Sequence, residues 1–141
     1  MGGMLSNKFV SKVILIKGIL NTLLGVVHIV GAFTFEASKI ARQGTIEMWR
    51  SHLIWFYGVG LFVLFMGLVD ILCYRSLKVN LNFAWRIAFL CAVFTTLIGL
   101  SGVIIFGVSP PLQLLVTGIV GCVVLIFSKR EFLHPEATCA V

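Results

Sequence analysis

Between Ile87 and Ser128 the chain carries no Asp, Glu, Lys, Arg or His. A continuous helix over that stretch would be about 63 Å long at 1.5 Å per residue, roughly twice the thickness of a bilayer's hydrocarbon core. The run must therefore fold back on itself, and Gly107-Val108-Ser109-Pro110-Pro111 is the strong breaker within it. Its two prolines remove two backbone donors, and the residue ahead of a proline is pushed out of helical geometry. One span accordingly ends near Phe106 and another begins near Pro111.

The N-terminal half adds two more spans. No formally charged residue stands between Lys17 and Glu36, and Lys17 at the inner edge is expected to snorkel. Val30-Gly31-Ala32 weakly resembles a signal-peptide cleavage site, but the apolar run is long for such a segment, which favours a retained helix. A further run lies between Arg50 and Arg75, interrupted by His52 and Asp70. The expected spans cover residues 13–35, 51–74, 84–106 and 111–128, all in one membrane domain over 1–141. Residues 36–50 read as an external interfacial segment in which apolar and charged residues alternate. The fold class is all-α, a polytopic four-helix membrane bundle.

Composition supports lipid as the solvent. Sixty per cent of residues are hydrophobic and 11% charged, against about 45–50% and about 25% in soluble domains. The net charge of +6 does not mark a nucleic-acid binder, because the bases stand in short groups between apolar runs and form no face that tracks a phosphate backbone. Their distribution sets orientation instead. Lys8, Lys12, Lys17, Arg75, Lys78, Arg86, Lys129 and Arg130 fall on one side, and Lys39, Arg42 and Arg50 on the other. Short basic loops stay cytoplasmic, so both termini are expected inside. Trp49, Trp55 and Tyr57 suit an outer aromatic belt, and Tyr74 and Trp85 an inner one.

Helices in lipid associate through small residues and interhelical hydrogen bonds. Gly18, Asn21, Gly25 and His28 share one face of the first span. His52, Val59, Val63 and Asp70, with Gly67 beside them, share a face of the second. Thr95, Gly99, Gly102 and Phe106 line the third, and Thr117 and Gly121 the fourth. Turning these stripes inward gives the bundle. Asn21-Thr22-Leu23-Leu24-Gly25 also resembles Thr95-Thr96-Leu97-Ile98-Gly99 at a matching place in the third span, which suggests two hairpins related by an axis along the membrane normal. In that repeat Gly102 stands where the first half has His28.

Intramembrane ionisable residues are functional candidates by default. His28 and His52 are expected at comparable depths near the outer end, where they could together hold a haem, a metal or a quinone head group, with Asn21 and Trp55 as neighbours. The simpler role is one hydrogen bond across the bundle. Asp70 is expected to pair with Lys17 or Arg86 near the inner boundary and pin the helices; a proton-coupled carboxylate would sit nearer the midplane. Cys73, Cys91, Cys122 and Cys139 include no C-x-x-C and read as small hydrophobes. The sequence offers no Ser-His-Asp arrangement, no glycine-rich phosphate loop and no pair of carboxylates within one span, so an enzyme is possible but unsupported.

Gly25-x-x-His28, Trp55-Phe56-Tyr57-Gly58, Gly67 and the Pro110-Pro111 break resemble small bacterial four-helix membrane proteins, the DoxX-like group and a neighbouring domain family of unknown function. The resemblance spans most of the chain. It implies a bacterial cytoplasmic membrane, no assigned activity, and His28 as a family-type residue. Small multidrug exporters match in size but need an acidic residue deep in the first span. Vitamin K epoxide reductase-like bundles need a C-x-x-C pair; this chain has neither feature. The leading expectation is a non-enzymatic accessory, assembly or interaction protein, self-associating or partnered with another membrane protein. The alternative is a bundle that binds haem, metal, quinone or a lipid-like ligand near His28 and His52. A small transporter ranks third.

Overall fold

The computed structural model describes residues 6–32, 46–106 and 111–133. Four helices fill them: α1 (Asn7–Gly31), α2 (Ile46–Lys78), α3 (Asn82–Phe106) and α4 (Pro111–Leu133). Each contains a stretch long and apolar enough to cross a membrane. The architecture is all-α, as the fold-back at the proline pair requires. Residues 36–45 of the expected interfacial segment lie outside the described residues, as do Gly107–Pro110 of the breaker and Cys139. Residues 46–50 belong instead to the first turns of α2.

Helix ends differ from expectation for local reasons. Helix α1 starts at Asn7, well before residue 13, because Ser6 adopts extended geometry and its hydroxyl accepts from the Phe9 amide. Helix α2 stops at Lys78 through an Asn in the left-handed region, Asn80, with φ 62°. The Asn80 amide donates to the Leu77 carbonyl and the Leu81 amide to Ser76, a Schellman closure that Asn tolerates better than other side chains.

Buried positions recur at spacings of three and four: Ile14, Lys17, Asn21 and Gly25 in α1, and Leu114, Gly118, Gly121 and Leu125 in α4. This near-3.5 repeat is the seam of a left-handed bundle. In each span only 28% of the most apolar stretch is buried, and residues such as Val27, Leu72, Ile104 and Phe127 are largely exposed. A surface of that kind is at equilibrium in hydrocarbon rather than in water.

Packing is closest within two antiparallel hairpins, α1–α2 and α3–α4, with looser seams α2–α3 and α1–α4 between them. The two hairpins use the same contacts. A Cβ on Gly67 would stand 2.5 Å from the Thr22 amide nitrogen and 2.5 Å from its hydroxyl; a Cβ on Gly118 would meet the same two atoms of Thr96 at 2.5 Å and 2.5 Å. Gly25 lies against the Leu64 backbone, 2.8 Å from its Cα, as Gly99 does against Leu115, 2.6 Å from its Cα. Thr22 donates to the Gly18 carbonyl at 2.8 Å and Thr96 to Ala92 at 2.8 Å. The short motif likeness in the sequence is thus a repeated helix–helix interface.

Trp85 departs from its expected place in an inner belt. It is 7% exposed, stacks on Phe89 and donates its indole N–H to the Leu125 carbonyl at 3.0 Å. A buried indole needs an acceptor, and this one ties the termini end of α3 to α4.

Candidate functional site

At the end of the bundle away from the termini all four helices line a cavity of about 290 Å³. Helix α1 contributes Leu24 and His28, α2 Phe56 and Val59, α3 Leu97, Ile98, Ser101 and Gly102, and α4 Pro111 and Leu114. The walls are apolar apart from the imidazole and the Ser101 hydroxyl, which donates to the Leu97 carbonyl at 2.8 Å. His28 is half-buried and stacks on Phe56, with centroids 4.9 Å apart and planes 17° apart. Stacking fixes the ring plane against α2 and leaves its edge, which carries the nitrogens, as the part able to hydrogen-bond.

The α3–α4 wall of the cavity follows from the sequence. Gly102 is where the repeat lacks the imidazole, and its missing side chain lets Pro111 approach; an added Cβ would be 2.7 Å from Pro111 Cβ. The proline that ends the long apolar run therefore also forms part of the cavity wall. One turn towards the termini, Phe62 and Phe94 meet edge-to-face at 6.2 Å and close the α2–α3 seam. Leu97 and Ser101, one turn apart on α3, are both exposed, so the cavity opens along this seam.

The backbones of the two histidines do not come to one depth. Gly60 of α2 lies opposite Ile29 of α1, and eight residues of helix separate Gly60 from His52. That places the His52 backbone about 12 Å further along the axis, beyond the end of α1. The α2 helix is longer than the one it packs on, a length the span estimate of 51–74 understated. The side chains of His52 and Trp55 lie outside the described residues. Among the described residues no group of three or more His, Cys, Asp or Glu side chains could hold a metal.

Towards the termini a second polar cluster is buried. Lys17 of α1 and Asp70 of α2 form an ion pair, with side chains 3% and 0% exposed. Lys17 therefore does not snorkel. Its methylenes run over Gly121 of α4, whose added Cβ would be 3.0 Å from Lys17 Cδ and 3.1 Å from Ala92 Cβ. Arg86 is not the partner: it is exposed, and its Nε donates to Asn82 on its own helix at 3.0 Å. Asn21, one turn beyond Lys17, is 1% exposed and accepts from the Thr117 hydroxyl of α4 at 3.3 Å. Asn21 belongs to this cluster and does not line the cavity.

Gly18, Gly25, Gly67, Gly99, Gly102 and Gly121 all sit at close contacts between elements or side chains. Sequence reasoning passed over Gly60 and Gly118, which do the same. The missed signal was spacing: Gly60–Gly67 repeats the seven-residue interval of Gly18–Gly25, and Gly118 stands three residues after Leu115 as Gly67 does after Leu64.

The chain matches no protein-family model, no curated protein and no solved structure.

Proposed function

We propose that this chain is a non-catalytic accessory protein of the membrane whose far-end cavity holds a small lipid-soluble ligand, with His28 bonding the ligand's one polar group. The observation that carries this reading is the cavity itself: apolar, lined by all four helices, and provided with a single stacked imidazole. Ligand sites have this character, a mostly apolar wall with few polar groups to fix orientation. About 290 Å³ is roughly twice the ~150 Å³ that accommodates benzene. It suits one substituted ring or a short chain, such as a quinone head group or the end of a lipid, and is small for a porphyrin. The one hydroxyl among the described lining residues, that of Ser101, donates to the Leu97 carbonyl of its own helix.

Membrane placement belongs to the same proposal. The excess of Lys and Arg on the termini side supports cytoplasmic termini, and the resemblance to DoxX-like four-helix proteins supports a bacterial cytoplasmic membrane. Reporter fusions at each terminus test the orientation.

Binding is tested by melting the detergent-solubilised chain with and without a short-chain benzoquinone and a medium-chain fatty alcohol. A ligand at a hundred times its Kd stabilises the folded state by about 2.7 kcal/mol. The reading expects a rise with one of these probes that is reduced in His28→Phe and abolished in Val59→Phe, which fills the cavity. No rise with either, or a rise indifferent to Val59→Phe, contradicts it.

A further inference from the structure

The Lys17–Asp70–Asn21 cluster leaves hydrogen-bonding capacity that the protein does not use. An ammonium carries three donors, and among the described residues Lys17 gives one, to Asp70 Oδ2. Asp70 Oδ1 is buried without a partner, and so is Asn21 Nδ2. The Thr117 hydroxyl has one proton and two acceptors in range, the Leu114 carbonyl at 3.1 Å and Asn21 Oδ1 at 3.3 Å. Whichever way the Asn21 amide faces Thr117, one end of it is left over. The unused set thus contains ammonium N–H donors, a carboxylate acceptor and one end of an amide. Lys17 and Asn21 are one turn apart on the same face of α1, and Lys17 is bonded to Asp70, so the set falls within about one helical turn of the bundle.

Neither lipid nor the surrounding Gly and Ala can satisfy such groups, and burying them unpaired costs free energy that marginally stable folds rarely carry. We propose that Lys17, Asp70 and Asn21 bind an ordered water molecule inside the bundle, which accepts from the Lys17 ammonium and donates to Asp70 Oδ1, with the Asn21 amide as its third partner. Buried waters make about three such bonds. The site is asymmetric. Where hairpin α1–α2 has Lys17 and Asp70, the matching positions of α3–α4 hold Cys91 and Gly121. One hydrated node therefore serves both hairpins, and it is separate from the apolar cavity.

The test is proton-detected solid-state NMR of the full chain in lipid bilayers, reading magnetisation transfer from water to the side-chain N–H groups of Asn21 and Lys17. Cross-peaks at both are expected in the native chain, with the Asn21 peak lost in the double variant Lys17→Met, Asp70→Leu. A dry Asn21 and Lys17 in the native chain overturns the proposal, as does an Asn21 peak that survives the double variant. Melting temperatures give a second readout. Thr117→Val removes the hydroxyl that Asn21 and the Leu114 carbonyl share, whereas Asn21→Leu removes the Thr117–Asn21 bond and a water ligand. Asn21→Leu is expected to lower the melting temperature more than Thr117→Val; an equal or smaller loss overturns the site.

Discussion

Hairpins α1–α2 and α3–α4 are built on one interface and furnished differently. Thr22 against Gly67 and Thr96 against Gly118 have the same geometry, as do Gly25 against Leu64 and Gly99 against Leu115. Three departures deep in the bundle place an ionisable group in the first hairpin. His28 stands where the second has Gly102, Lys17 where it has Cys91, and Asp70 where it has Gly121. The second hairpin supplies the complementary spaces: Gly121 accommodates the Lys17 stem, and Gly102 with Pro111 forms a wall of the cavity facing His28. One half thus carries the reactive groups while the other is hollowed to receive them. A lipid-facing exterior can be shared by both halves, but a buried charge or imidazole needs a partner surface that does not duplicate it.

The largest effect that separates the hairpins should come from the ion pair. Lys17→Met or Asp70→Leu alone leaves an uncompensated buried charge and should cost about 3–5 kcal/mol, while the double variant should cost less than either. Reversible unfolding in mixed detergent measures this; a double variant as damaged as the sum would show that the pair contributes through packing alone. Next in size are the matched glycines. Gly67→Ala and Gly118→Ala each force a backbone contact apart and should cost about 1–3 kcal/mol by overpacking. Matching losses sharpen the repeat, and a loss at one site only breaks it. Gly58→Ala is the control, since among the described residues nothing beyond its own helix backbone lies within 4 Å of an added Cβ there; it should stabilise α2 by about 0.5–1 kcal/mol through helix propensity.

Smaller again is Trp85→Phe, which should cost about 0.5–1.5 kcal/mol for the lost bond to the Leu125 carbonyl. Smallest is Arg86→Ala, expected within about 0.5 kcal/mol of the native chain because the side chain is exposed and, among the described residues, bonds to Asn82 of its own helix. Loss of stability with Arg86→Ala comparable to Asp70→Leu would reassign the carboxylate's partner.

Much of this was legible in the sequence, because it depends on composition and period. The apolar runs and the proline break give the number of helices, and small residues at intervals of three and four give the inward faces. The likeness of Asn21–Gly25 to Thr95–Gly99 pointed to the repeat because both segments meet a neighbour's backbone. What the sequence left open depends on register between helices. Asp70 reads as the partner of Lys17 or of Arg86, and the structure takes the first; Lys17 also reads as a snorkelling residue until the Gly121 notch opposite it is known. The paired-histidine expectation failed to allow for α2 extending past the end of α1. Trp85 reads as a belt residue until the free carbonyl of Leu125 is placed beside it.

The central claim is that the furnished and the hollowed hairpin together enclose one ligand. Native mass spectrometry of the chain released from its own membranes tests it most directly. The account predicts one small lipid-soluble molecule retained per chain and missing from the folded Val59→Phe variant. The same adduct pattern in both chains would contradict it.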